Sequence, residues 1–410
     1  MTSTDLKLAL DLGTTTVAGR LFDGRGACLA EGLVVNPQAA LGADVIRRLE
    51  ASLEGKGRRL QALLVEGIES LVKELFCQAG RSREDLRAVG AAGNPAICYL
   101  LRNLPAEEIL FPPHRPRHRE GCALEAADLG LDLPVPLHLF PLVSGYAGGD
   151  LVAFLFSQLP AEPGTFYLDI GTNAEMALHT SKGWQVTSVA AGPAFEGGEI
   201  SCGMTGRSGA VSSVRVRGDS LELEVLGGGP PRGICGTGLV EAVAAALEGG
   251  LIDASGRIVD PGQVATNLAR YIVATPAGPS LRLYRDAVTD LRLTQQDIRQ
   301  FQLAKGAIRA GAECLLQRAE VRTGGLHRVV VTGAFGLSLT PEALKRVAML
   351  PANMVDKVRF VAGGVLAGVA RCLHDPDGSA KVQSLCEVLL PYPLSGTPAF
   401  QKAFLNALNF

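Results

Sequence analysis

Two short stretches combine a carboxylate, a glycine and hydroxyl side chains at the same spacing. "LDLGTTT" places Asp11, Gly13, Thr14, Thr15 and Thr16 after an apolar run, and "LDIGTN" places Asp169, Gly171, Thr172 and Asn173 after another. Glycine lets the backbone turn tightly and come close to a bulky anion. The N–H groups of such a turn, with the threonine hydroxyls, are donors for phosphate oxygens. Aspartate alone repels phosphate. It makes sense when a divalent cation, Mg²⁺ with its water shell, lies between carboxylate and phosphate. One such hairpin is most simply a turn. Two copies, with Asp11 and Asp169 158 residues apart, read as matching walls that grip a polyphosphate from both sides. Asp11 and Asp169 are the expected metal-holding and catalytic carboxylates.

The elements that must position these residues alternate in type. Strand patterns fall at 7–11, 17–22, 86–90, 166–169, 175–179, 184–189, 211–216, 221–225 and 328–331. Helical spacing marks 44–53, 60–79, 148–158, 238–248, 294–322 and 366–373. With a hairpin opening each half, the fold class is α/β. "LPAEPGT" (159–165) and "TPAGPS" (275–280) are breaks. The expected division is 1–160, 161–375 and a tail, 376–410, that packs back on the body. In that tail Phe400, Phe404, Leu405 and Leu408 share a helical face. Asn36 and Asp44 either line the cleft or cap the helix that begins near Asp44; capping is the favoured reading for Asp44.

Bulk composition excludes several classes. In 410 residues, 39 Lys+Arg against 41 Asp+Glu leave a net charge of -2, which favours neither nucleic acid nor an anionic membrane surface. The basic stretch "PPHRPRHRE" (112–120) reads as a solvated loop. No run of ~18 apolar residues predicts a membrane span, and no leader pattern opens the chain. A cytoplasmic protein is expected. The nine cysteines never approach closer in sequence than Cys372 and Cys386, so no local zinc or iron–sulfur clip is predicted.

A third motif, "RVVVTGAFGLSL" (328–339), is an apolar strand ending in Gly333, Ala334, Phe335 and Gly336, small enough in part for backbone to lie against a flat ring or ribose. In the order hairpin, hairpin, VVVTGAFG, the chain resembles the actin, sugar-kinase and heat-shock ATPase superfamily, where these elements are called phosphate 1, phosphate 2 and adenosine. "VSGYAGGDLVAFL" (143–155) and "VAGGVLAGVARCL" (361–373) resemble its two connecting helices, whose Gly and Ala suit close crossing at a hinge. The resemblance implies two actin-like (RNase H-like) halves around an ATP cleft, with the second half carrying a hairpin-rich insertion. Gly13, Thr14, Thr15, Thr16, Gly171, Thr172 and Asn173 then serve the phosphates, and residues 333–336 the adenosine. Gly233, Gly236 and Gly238 of "GICGTGL" suit a helix N-terminus facing the nucleotide. In the chaperone branch the helix corresponding to 297–316 supplies polar groups to adenine; Gln302 and Lys305, at i,i+3, fill that place here. Glu196 in "GPAFEGGEI" offers a carboxylate to Mg²⁺, a water or a partner, and joins Asp11 and Asp169 in the catalytic set.

The wording is similar, more narrowly, to the ATP-dependent reductive activators of corrinoid proteins. The phrases that carry this are "LDLGTTTVAG", "NPQAALGADVIRRL", "GNPAICYLL", "LDIGTNAEMAL", "AAGPAFEGGEISCGM", "GICGTGLVE", "DIRQFQLAKGAIRAG" and "VTGAFG". The resemblance implies an ATPase that promotes return of a corrinoid protein from Co(II) to Co(I), with ATP and Mg²⁺ as its cofactors. The corrinoid protein is the expected partner, and a homodimer is allowed for. Studied members carry a fused iron–sulfur domain. With no cluster-binding cysteine run here, no iron–sulfur cluster is expected, and the low-potential electron donor is expected on a separate protein. "GICGTGL" also resembles a phrase of the 2-hydroxyacyl-CoA dehydratase activators, whose cysteine holds a cluster. The next cysteine here is the distant Cys314, so Cys235 reads as a packing residue. A small-molecule kinase of the same superfamily and a nucleotide-dependent scaffold stay open as rival readings.

Overall fold

The computed structural model describes residues 5–333, 339–394 and 396–410. The chain opens with β1 (Leu6–Leu12), β2 (Thr16–Phe22) and β3 (Cys28–Val35), an antiparallel meander. Then come β4 (Leu86–Gly93), β5 (Cys122–Leu124) and β6 (Leu137–Leu139), completing a six-stranded sheet in the order β3-β2-β1-β4-β6-β5. Leu6, Leu8, Leu10 and Leu12 fill one face of β1 and are fully buried, and Lys7 and Ala9 on the other face are buried as well, so both faces of the strand are covered. The helix Gly57–Ala79 sets Leu60, Leu64, Ile68, Leu71 and Leu75 into the same core, at spacings of three and four.

The second half repeats this plan. It begins with β7 (Thr165–Ile170), β8 (Asn173–Thr180) and β9 (Gly183–Ala190). Two small sheets follow: β10 (Ala210–Arg217), β11 (Ser220–Val225) and β12 (Gly233–Ile234), then β13 (Ile272–Thr275), β14 (Gly278–Arg285) and β15 (Asp290–Thr294). After the helix Gln295–Arg318 come β16 (Arg328–Gly333), β17 (Val358–Phe360) and β18 (Leu389–Pro391), which give a six-stranded sheet in the order β17-β16-β7-β8-β9-β18. In both large sheets the opening three strands lie side by side in chain order. A later strand joins the first of them in parallel: β4 beside β1, with Ala92 opposite Asp11, and β16 beside β7, with Thr332 opposite Asp169. The sequence repeat is thus a repeat of topology.

The described chain forms two compact units: Met1–Pro163 with His179–Thr187 and Gly363–Pro393, and Gly164–Leu178 with Ser188–Ala362 and Leu394–Phe410. This differs from the expected contiguous division, because the helix Gly364–His374 belongs with the first unit. Packing explains it. That helix crosses Gly149–Ser157 so closely that a Cβ on Gly368 would lie 1.7 Å from the Ala153 carbonyl oxygen. The tail also divides between the units at 393/394. In its helix Pro398–Asn406, Leu405 is 66% exposed and so does not share the docking face expected of it; Phe404 and Leu408 approach Gly306 instead. Among the described residues, no helix is long and apolar enough to cross a membrane.

Candidate functional site

The first hairpin turn is held from inside by two buried polar residues. Asn36 Nδ2 donates to the Gly13 carbonyl at 2.9 Å, and the Asn36 backbone N–H donates to the Thr15 carbonyl at 2.9 Å. Arg48 Nη1 donates to the Thr14 carbonyl at 2.8 Å. In a trans peptide the C=O and N–H point opposite ways. Three inward carbonyls therefore direct the N–H groups of Thr14, Thr15 and Thr16 away from the Asn36–Arg48 side, the arrangement an anion-binding turn needs. Thr14 itself departs from expectation. Its side chain is buried, and its hydroxyl accepts from Asn94 Nδ2 at 3.0 Å, so it joins the support. Gly13, Thr15 and Thr16 stay partly exposed, as does Asp11 in β1. Asn36 caps the short helix Pro37–Leu41 while holding the turn. Asp44 caps Val45–Ala51 by accepting from the Arg47 N–H at 2.9 Å.

The second turn has the same sequence pattern and different support. The Thr172 carbonyl accepts from the N–H groups of Ala191 and Gly192. Thr172 donates its N–H to Glu196 Oε1 at 3.2 Å and its hydroxyl to Glu196 Oε2 at 2.6 Å. Glu196 thus closes on the turn rather than facing away from it. Gly171 lies against this carboxylate, and its N–H donates to the Asn173 carbonyl at 3.0 Å. Asp169 is nearly buried at the end of β7. Gly333 of β16 has φ +100, and a Cβ there would lie 2.2 Å from the Ile170 carbonyl and 2.6 Å from Asp169 Oδ1. The glycine that opens the adenosine motif is therefore required by the second aspartate's strand. Ala334, Phe335 and Gly336 lie outside the described residues.

Gly233, Gly236 and Gly238 are all buried and close-packed. A Cβ on Gly236 would sit 2.0 Å from the Phe195 carbonyl, and one on Gly238 2.0 Å from the Val211 carbonyl. They let the helix Gly236–Glu248 start beside the loop that carries Glu196. Cys235 Sγ donates to the Val211 carbonyl at 3.3 Å, and its thiol is buried.

Gln302 and Lys305 also require correction. Both are buried, and their polar atoms are given to the tail. Gln302 Nε2 donates to the Leu408 carbonyl at 2.9 Å and the Ser255 carbonyl at 3.0 Å. Lys305 Nζ donates to the Asn409 carbonyl and lies 4.8 Å over the Phe410 ring. Loss of hydration pulls its ammonium down to about 8. In the same unit, a cavity of about 260 Å³ lies between one stripe of Gly236–Glu248 (Glu241, Ala244, Ala245) and the helix Pro341–Arg346 with its cap (Thr340, Ala343). There Glu241 accepts from the Thr340 N–H and hydroxyl, at 3.1 and 3.0 Å.

Two charged residues escaped the sequence reading. Arg48 lies inside "GADVIRRL", where its charge beside exposed Arg47 looks like helix surface. Asp150 lies in the first connecting helix, Gly149–Ser157. Burial pushes its carboxyl up to about 6, opposed by the Leu151 N–H that it accepts at 2.8 Å. A Cβ on Gly148 would touch Asp150 Oδ1, Asn94 Cα and the Gly93 carbonyl, so this carboxylate belongs to the shell around the Asn94–Thr14 bond. An acid among the glycines and apolar residues of 143–155 was the available signal.

The donor set can be tested against Mg²⁺. Among the described residues, no three His, Cys, Asp or Glu side chains gather as a metal cage. Asp11 and Asp169 each bring one carboxylate to the end of a strand in its own unit, a donor that suits a hydrated cation held in part by phosphates.

Comparison with known proteins gives a consistent family. The chain is 26% identical over 423 residues to the corrinoid activation enzyme RamQ of Eubacterium limosum, covering 98% of this chain and 70% of that one. It is 23% identical over 393 residues to the [Co(II) methylated amine-specific corrinoid protein] reductase of Methanosarcina barkeri, covering 86% and 67%. Its structure matches a reductive activator for corrinoid, iron–sulfur protein with a TM-score of 0.93 and 27% identity, over 100% of this chain and 67% of that one. The family model for the RACo middle region matches residues 6–160, and that for the C-terminal domain of RACo, the ASKHA domain, matches residues 164–410. With the actin-like ASKHA model alone spanning more than half of its length, the chain belongs to the RACo family.

Proposed function

We propose that this protein is an ATP-driven activator that promotes the return of a corrinoid protein from Co(II) to Co(I), the electron coming from a low-potential donor. The observation that carries this is the end-to-end structural match to a reductive activator of a corrinoid protein, in a chain whose two large sheets each present one DxGT turn. The two relatives named for corrinoid activation and reduction support the same client.

In this reading the first turn takes phosphate oxygens on the N–H groups that its inward carbonyls direct outward. Asp11 and Asp169 would each offer a carboxylate to hydrated Mg²⁺, which when bound neutralises phosphate charge. Glu196 orients the second turn through Thr172. The proton of the attacking water passes to bulk water. Water oxygen bonds to the γ-phosphorus, the bond to the β–γ bridging oxygen breaks, and ADP and phosphate leave. The cavity beside Glu241 and Thr340 takes the nucleoside in place of Gln302 and Lys305.

ATP contributes through differential affinity for two conformations, since a ligand equally bound to both shifts nothing. The test mixes this protein, ATP with Mg²⁺, a low-potential donor and a Co(II) corrinoid protein, and follows the cobalt spectrum. Co(I) should form only with all components present. Equal Co(I) without ATP or without this chain would reject the activator and leave the kinase or scaffold.

A further inference from the structure

Arg48 is fully buried. Its bonded partners are all uncharged oxygens: the Gly42 carbonyl at 2.9 Å, the Thr14 carbonyl at 2.8 Å and Gln38 Oε1 at 3.4 Å. Its Nη2 has no hydrogen-bond partner among the described residues. Burial pulls its guanidinium down to about 10, so it stays charged at neutral pH. Asp44, the acid that offsets this, spends a carboxylate oxygen on its helix cap. A buried cation without a paired carboxylate is costly in a protein interior, and an orphaned donor adds to the cost. Here the cost falls directly beneath the one turn whose three successive carbonyls are drawn inward. The second turn, with the same sequence pattern, is backed by the carboxylate of Glu196 instead. The two turns match in sequence and are opposite in electrostatics.

We propose that Arg48 is a positioning residue that makes the first turn the polyphosphate receptor: it fixes the Thr14 carbonyl inward, and its charge is neutralised when a polyphosphate anion binds at that turn. This rests on the nucleotide reading above. Its own ligand class is the di- or triphosphate anion, whichever base is attached. In the ligand-free protein the charge is a liability; with the anion present it is matched.

The test compares wild type with Arg48→Met, Arg48→Lys and Gln38→Glu, titrating each with Mg·ATP, magnesium pyrophosphate and adenosine by calorimetry and recording melting curves. Gln38→Glu leaves Arg48 in place and gives it an internal counter-charge, so it informs even if Arg48→Met does not fold. Arg48→Met and Gln38→Glu should each weaken ATP and pyrophosphate at least tenfold and leave adenosine within twofold, with cooperative melting showing that each variant is folded. Arg48→Lys should recover part of the phosphate affinity. Unchanged phosphate affinity in Gln38→Glu, or ATP and adenosine affinities falling together, would overturn the proposal, because a collapsed turn does not discriminate between them. Wild type that binds pyrophosphate without ATP or adenosine would fail the nucleotide reading, while the pyrophosphate arm still decides Arg48. Wild type that binds neither phosphate ligand rejects both.

Discussion

At the scale of single residues, carboxylates divide by what surrounds them. Asp11 and Asp169 end strands of matching topology, so Asp11→Ala and Asp169→Ala should each weaken Mg·ATP binding or turnover by ~1–3 kcal/mol, the range for a charged hydrogen bond. Nucleotide titration of both variants checks this. Asp150 behaves differently. Its folded carboxyl titrates above the unfolded value, so the folded state binds the proton more tightly. Stability therefore falls as pH rises from about 3.9, the ordinary aspartate value, through about 6, and then levels off. Asp150→Asn removes that penalty. It should raise the melting temperature more at pH 8 than at pH 5. A gain independent of pH would count against a buried ionised carboxylate.

At the scale of elements, closeness between backbones sets what the sequence tolerates. The helices Gly149–Ser157 and Gly364–His374 cross where Gly368 meets the Ala153 carbonyl. A methyl there forces the helices apart, so Gly368→Ala should cost ~1–3 kcal/mol, as overpacked cores do. Gly262 has open space around it and no left-handed φ, so Gly262→Ala should change stability by less than ~0.5 kcal/mol. Urea denaturation of the two variants separates packing from the general effect of losing a glycine. Gly333→Ala should be the more severe, because it combines φ +100 with a clash against the Ile170 carbonyl.

At the scale of the whole molecule, the proposed activity is a coupling between two ligands. If ATP changes affinity for the corrinoid protein by some factor, the corrinoid protein must change affinity for ATP by the same factor. Measuring a non-hydrolysable ATP analogue with and without Co(II) corrinoid protein, and the corrinoid protein with and without the analogue, should yield equal ratios different from one. Corrinoid protein should also accelerate ATP hydrolysis. Ratios of one in both directions would leave ATP no means to favour reduction.

Local chemistry was readable in the sequence because it is carried by neighbours. Apolar alternation marked β1, β2, β7, β8, β9, β10, β11 and β16 to within a few residues, and the repeated Asp-x-Gly-Thr marked both turns. The short strands β5, β6, β12, β17 and β18 escaped, since two or three residues give too little pattern, and so did β3 and the meander β13 to β15, whose glycine, proline and charged residues interrupt the apolar pattern. The surroundings of the turns escaped for another reason. Arg48 reaches Thr14 across 34 residues, Asn94 reaches Thr14 across 80, and Gln302 reaches the Leu408 carbonyl across 106. No periodicity records such bonds. A helix with Gln302 and Lys305 on one face is equally compatible with adenine and with a terminal strap, and only packing decided for the strap. In the same way, two turns of one sequence pattern became a turn backed by a cation and a turn closed by a carboxylate. The residues that make them differ come from other elements, brought there by the tertiary fold.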